Sequence, residues 1–208
     1  MKNKLPLFRW TFLAVNLILL LVVIFFAAHR YFFRLRLPAP LETKFLTGPA
    51  SFSQNYGRIP DFSLTEQSGQ TVSSLDLKGK VWIADFIFTR CADQCPVMTQ
   101  KMSFLRRKME TVQCVSFSVD PEYDNPSVLQ GYAKKFEADP ARWFFLTGKK
   151  EAMNRVAQGL HVSGTEQPMF HNISFILVDR EGYIRGYYNS SEPEKIRQLE
   201  RDAKTLLA

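Results

Sequence analysis

The sequence predicts an α/β protein: a three-layer α/β/α sandwich preceded by one N-terminal transmembrane helix. Three observations carry this. Apolar runs alternate with helical patterns from residue 81 onward and end in a hairpin and a helix, the order expected of a sheet covered on both faces. One of those runs, Val81 to Phe88, is nearly continuous, as a central strand buried on both sides requires. From Trp10 to Ala28, Thr11 and Asn16 are the only clearly polar side chains in 19 residues, enough to cross a bilayer as a helix.

The chain of 208 residues divides accordingly into a basic head (1–9), an anchor (10–28), a linker (29–56) and a folded domain (57–208). Signal peptidase favours small residues at −3 and −1, and cleavage after Ala28 would leave bulky Phe26 at −3, so the anchor is expected to stay uncleaved. Residues 1–44 hold seven basic groups and one acidic group, a net +6, which leaves only +1 of the total +7 for the rest. A nearly neutral domain lacks the footprint of a nucleic-acid binder; the anchor flanks account for the basic balance. Lys2, Lys4 and Arg9 face Arg30, Arg34 and Arg36 across the run, so charge alone does not orient it. The short head and the cysteine pair favour the N-terminus in the cytoplasm and the domain outside. The head lacks the length and Ser/Arg richness of a transit peptide, so the expected site is a bacterial cytoplasmic membrane crossed once.

The elements run in order along the chain. Pro38, Pro40 and Pro49 without periodicity make the linker a tether. Ile59 to Leu64, a turn at Gln67-Ser68-Gly69-Gln70 and Thr71-Val72 form a short hairpin. Val81 to Phe88 is the central strand. Pro96 suits the first turn of a helix running to about Met109, with Val97, Met98, Met102, Leu105 and Met109 as its apolar face. The alternating run Thr111 to Val119 is a strand. Asn125-Pro126-Ser127 opens a helix through Leu129, Tyr132 and Phe136. Trp143 to Thr147 is a third strand, ended by Gly148, and a helix spans about Lys150 to Gln158. A polar loop, Val162 to Phe170, leads to strands Asn172–Asp179 and Tyr183–Tyr188 joined by a turn at Arg180-Glu181-Gly182. Glu192 to Leu207 closes the chain as an amphipathic helix.

Chemistry concentrates at Cys91-Ala92-Asp93-Gln94-Cys95-Pro96, where the central strand gives way to a helix. Residues four apart share a helix face, and helix amides point towards both sulfurs, an arrangement suited to redox chemistry or soft-metal binding. A structural disulfide is the bland alternative. Cys114, in an alternating strand, reads as a small buried hydrophobe. A cysteine pair after the first central strand narrows the fold to the thioredoxin-like class. His29 abuts the anchor, and His161 reads as a surface or loop-packed residue. His171, at the end of the polar loop, would approach the cysteine turn in such a fold. Two thiolates and an imidazole make a three-coordinate set suited to Cu(I) and able to hold Cu(II); zinc in a structural site usually takes a fourth ligand.

The stretch from Asp61 to Tyr188 resembles the SCO/SenC family, membrane-anchored copper proteins that assist cytochrome c oxidase assembly. The matching segments are Asp61-Phe62-Ser63-Leu64, Asp85 to Cys91 with Cys95-Pro96, Ser118 to Pro126, Leu146-Thr147-Gly148, and His171 eight residues before Asp179. Ala92 stands where the family commonly has proline, and Asn172 where serine or threonine is usual. The resemblance implies a thioredoxin-like fold, copper ligation by Cys91, Cys95 and His171, and delivery to the CuA centre of an oxidase subunit or exchange with another copper chaperone. The dithiol also supports a second function, a thiol-disulfide oxidoreductase in which Cys91 attacks and Cys95 resolves. A redox- or copper-sensing module is a third reading. A peroxidase fits less well, because a close dithiol stands where a single peroxidatic cysteine is expected.

Overall fold

In the computed structural model, residues 54–162 and 173–208 are described, together with Val22, Phe25 and Phe26, which are helical. The expected anchor otherwise lies outside the described residues. Among the described residues no helix is long and apolar enough to cross a membrane.

Among the described residues, seven strands and four helices build the domain. In chain order they are β1 (Ser63–Glu66), β2 (Thr71–Ser73), a 3-10 turn (Ser74–Leu77), β3 (Trp82–Ile87), α1 (Gln94–Lys108), β4 (Gln113–Ser118), α2 (Pro126–Lys135), β5 (Trp143–Thr147), α3 (Lys150–Gly159), β6 (Ser174–Val178), β7 (Ile184–Asn189) and α4 (Pro193–Leu207). One sheet holds all seven strands in the order β2-β1-β5-β4-β3-β6-β7. β3, β4 and β5 run parallel, joined by helical crossovers, whereas β1 lies antiparallel to β5 and β6 antiparallel to β3.

The local chemistry explains the turns. Gly69 and Gly182 take positive φ, 89° and 85°, which residues with a Cβ rarely adopt, at the tips of the two hairpins. Asp179 secures the second tip: its carboxylate accepts the amides of Glu181 and Tyr183 at 3.0 and 2.8 Å and pairs with Arg185. Asn125 caps α2 by accepting the Val128 amide at 3.1 Å, with Pro126 in the first turn. Past the end of β1, the Gln67 side chain continues the ladder, donating to the Trp143 carbonyl and accepting the Phe145 amide.

Strand alternation sorts the sheet into two cores. Ile83, Ile87, Cys114, Trp143, Phe145, Phe175 and Leu177 face one way, covered by Met98, Met102 and Leu105 of α1, Leu129 and Tyr132 of α2, and Leu199 and Ala203 of α4. Trp82, Ala84, Phe86, Val115, Phe117 and Ile176 face the other way, covered by Met153, Val156 and Ala157 of α3 and by Leu64, Val72 and Leu77 of the hairpin segment. Three layers result, as the alternating pattern predicts. Cys114 is fully buried in the first core.

One residue departs from the expected helix face. Val97 is exposed, with Phe104 beside it on the outer side of α1, while Met98, Met102, Leu105 and Met109 are buried. A 3.6-residue period carries Val97 round to the solvent side of the stripe that begins at Cys95 and Met98. Met102→Ala should therefore cost about 2–5 kcal/mol of stability, and Val97→Ala no more than about 0.5 kcal/mol; chemical denaturation of both variants checks the difference, and equal losses would contradict this packing.

Candidate functional site

β3 ends at Ile87, and the chain turns through residues 88–93 before α1 begins at Gln94. The parallel strands all end on this side, so the turn stands at the carboxyl edge of the sheet, where open α/β sheets place their sites. Cys91 lies in the turn, half-buried, with its amide donating to the Phe88 carbonyl at 3.1 Å. Cys95 lies in the first turn of α1, buried, and its amide donates to Cys91 Sγ at 3.4 Å. Both are free thiols.

Their environments push them apart. Partial burial opposes ionisation of Cys91, but the amides of Cys95, Asp93 and Gln94 and the Cys95 thiol outweigh it and hold Cys91 below the ordinary thiol range. Burial pushes Cys95 up to about 12, with Cys91 and Asp85 adding to the shift and the Phe88 amide opposing it. Burial likewise pushes Cys114 far up, consistent with an inert core residue. Of the two sulfurs, Cys91 is thus the more exposed and the more readily ionised, and Cys95, four residues on, is the sheltered thiol.

Beneath Cys95 lies a polar layer that the sequence pattern does not single out. The Thr99 hydroxyl donates to the Cys95 carbonyl at 2.8 Å and is also hydrogen-bonded to the Tyr132 hydroxyl at 2.9 Å. Asp85 is fully buried in β3, on the face shared with Ile83 and Ile87, and neither carboxylate oxygen has a hydrogen-bond partner. Burial pushes its pKa up to about 7; Ser116, opposite it in the β3–β4 register, opposes the shift without reaching hydrogen-bond geometry. A lone aspartate within the run Ile83-Ala84-Asp85-Phe86 is the available signal, since an acidic side chain in a strand covered on both faces has no route to water.

Two ties hold the turn to the loop after β4. Arg90 pairs with Asp120, its Nε 3.0 Å from the carboxylate, and stacks over the Tyr123 ring at 4.4 Å. Inside, the buried Asp124 carboxylate accepts the Thr89 amide and hydroxyl and the Ser118 hydroxyl.

Among the described residues, then, Cys91 and Cys95 are brought together, and no group of three His, Cys, Asp or Glu side chains is placed to hold a metal ion. The expected third ligand, His171, lies outside the described residues. Ile173, two residues further on, packs against the same core as Cys91 and Phe88. His161 is exposed, with Nε2 3.1 Å from the Tyr56 carbonyl, and takes no part in the cysteine turn.

The sheet, its helical crossovers and a dithiol at the head of the helix that succeeds the central strand define a thioredoxin-like protein. A family model described as SCO1/SenC matches residues 51–208, and the chain belongs to that family. It is 35% identical over 161 residues to the SCO1 protein homolog of Bacillus subtilis, covering 73% of this chain and 83% of the relative. The solved structure of BsSco, a member of the Sco family of cytochrome c oxidase assembly proteins in which a disulfide switch was identified, aligns with a TM-score of 0.65 and 35% identity, over 73% of this chain and 94% of that one. Bradyrhizobium japonicum ScoI with copper bound aligns with a TM-score of 0.60 and 27% identity, over 72% of this chain and 99% of that one.

Asp85 gives the fold a pH dependence whose sign is fixed. Its folded pKa, about 7, is above its unfolded value near 3.8, so the folded state holds a proton that the unfolded state has released between those values. The residue's favourable contribution is complete below about pH 4, declines as pH rises towards 7, and changes no further above it. Asp85→Asn should remove this component, leaving the variant's unfolding free energy flatter between pH 5 and pH 8 than that of the unmodified chain, by on the order of 1–3 kcal/mol. Denaturant melts at the two pH values measure it; parallel profiles for the two proteins would refute the assignment.

Proposed function

We propose that this chain is a membrane-tethered copper metallochaperone, holding copper through Cys91, Cys95 and His171 and passing it to the dinuclear copper centre of an oxidase subunit. The observation that carries the reading is the dithiol: two sulfurs four residues apart at a helix N-terminus, one the more exposed and more readily ionised, the other sheltered. Thiolates are soft donors, and a two-sulfur set fits Cu(I), with an imidazole completing a three-coordinate site. Copper here is cargo, and a low-coordinate site at the edge of the sheet suits handover by ligand exchange. The copper-bound ScoI relative and the oxidase-assembly role stated for the BsSco family support the same reading.

A second reading has its own support in the unequal thiols. Cys91 as thiolate could attack a partner's disulfide, forming a mixed disulfide and releasing one partner thiolate. Cys95 would then lose its proton and displace the second, leaving Cys91–Cys95 oxidised and the partner reduced by two electrons. Since copper binding requires both thiols reduced, the two activities share one resting state.

The tether places this chemistry beside a membrane. The run from Trp10 to Ala28 serves as a single span of a bacterial cytoplasmic membrane with the domain on the outer side. A C-terminal alkaline phosphatase fusion should be active and a C-terminal reporter restricted to the cytosol silent; the opposite pair of results would reverse the orientation. Anaerobic Cu(I) titration of the reduced, detergent-solubilised chain against a competing chelator should show one copper per chain. Cys91→Ala, Cys95→Ala and His171→Ala should each weaken binding by at least about tenfold, as removal of a ligand from a three-coordinate site demands. Binding unaffected by the cysteine changes would sink the copper assignment, and binding unaffected by His171→Ala would remove that ligand from it.

A further inference from the structure

The turn carrying Cys91 has no regular secondary structure, yet the geometry of the dithiol depends on where it stands relative to α1. Its local ties are the Cys91 amide on the Phe88 carbonyl and the Cys95 amide on Cys91 Sγ. Of the polar ties described between it and the loop after β4, the Arg90–Asp120 pair is largely exposed on the arginine side, at 58% of side-chain accessibility, and such pairs constrain little. The Asp124 tie is different in kind. Asp124 is fully buried, and its carboxylate accepts the Thr89 amide at 3.2 Å, the Thr89 hydroxyl, and the Ser118 hydroxyl at 2.6 Å. Thr89 stands two residues before Cys91, and Ser118 ends the strand paired with β3, Ile87 lying opposite it. One carboxylate thus joins the end of β4 to the backbone of the cysteine turn by charge-assisted bonds out of reach of water.

We propose that Asp124 is a positioning residue for the dithiol, acting through Thr89 to fix Cys91 against the first turn of α1. The inference rests on the reading of Cys91 and Cys95 as a working pair, and it adds which group outside the motif sets their mutual geometry. Closing the Cys91–Cys95 disulfide is an intramolecular step whose equilibrium scales with the effective concentration of one sulfur at the other. A pinned turn keeps that concentration high, and a released one lowers it. Asparagine in place of Asp124 keeps the shape but carries no charge and presents an N–H group in a pocket of donors.

The test equilibrates the detergent-solubilised full chain with dithiothreitol. Oxidised dithiothreitol takes two electrons and two protons from the thiols of Cys91 and Cys95 as their S–S bond forms, becoming the dithiol, and alkylation with mass shift reads the fraction closed. Asp124→Asn should lower the closing constant about tenfold or more, in keeping with the leverage of orientation on intramolecular steps. Thr89→Val should lower it less, and Thr89→Ser, which restores the hydroxyl, should bring it back. Asn125→Ala, which uncaps α2 in the adjoining segment without touching Thr89, should leave it within about twofold, as a readout of geometry and not of stability requires. A closing constant within about twofold of the unmodified chain in folded Asp124→Asn would overturn the proposal, as would an equal loss in Asn125→Ala. If Asp124→Asn does not give a cooperative melt, Thr89→Val decides, and an unchanged constant there overturns it. Copper titration of the unmodified chain is scored separately, so failure of the copper reading and failure of this one give different results.

Discussion

Strand β3 is hydrogen-bonded on one side to β4 and on the other to β6, and buried on both faces. The chain can therefore leave it only at the sheet edge. Because β3 and β4 are parallel, the connection between them has to cross over a face, and α1 is that crossover. Its inner side must be apolar where it meets Ile83, Ile87 and Cys114, so its first buried position falls on Cys95 and not on the residue four before it. The unequal surroundings of the two cysteines thus arise from how a fully enclosed strand hands its chain to a helix.

The same enclosure creates the polar layer below the pair. A strand with water on one face could carry Asp85 at no cost; here the carboxylate is held beneath Cys95 and Tyr132 with its oxygens unpartnered, and its field reaches both groups. Burial of an acid in this way is retained by proteins at functional sites more often than elsewhere. The amides at the head of α1 act in the opposite sense on Cys91, so the site combines a buried carboxyl inside with N–H donors outside. Neither sulfur's behaviour can be had from the spacing of the cysteines alone.

Much of the framework is legible from one-dimensional pattern. The run ending at Phe88, the alternation around Cys114 and the turn residues Gly69 and Gly182 each carry their own local physics, and each element stands where that physics puts it. The two-sulfur site is legible because a Cys-x3-Cys pair before Pro96 marks its place and narrows its chemistry to redox work or soft-metal binding. Val97 misleads because four apolar residues in the helix satisfy a stripe to which a fifth does not belong. Asp85 is hidden by its own context, an acidic letter that an apolar run absorbs without changing its periodicity. Asp124 and Thr89 lie 35 residues apart, and no periodicity links a loop carboxylate to a backbone amide across a sheet.

The order in which the strands pair has a consequence for the growing chain. Trp82 of β3 pairs with Val178 of β6, and the edge beyond it is closed by β7 and α4, so the covering of the first core is completed by the last segments of the chain. Such long-range closure is slow compared with local helix formation. Until it happens, Cys91, Cys95 and Cys114 are three equivalent thiols on an open chain, any two of which an oxidant can join. The distinction between a reactive, a sheltered and an inert cysteine is therefore acquired late. Where an oxidant arrives before folding is complete, a reductant must follow that undoes the wrong pairings involving Cys114.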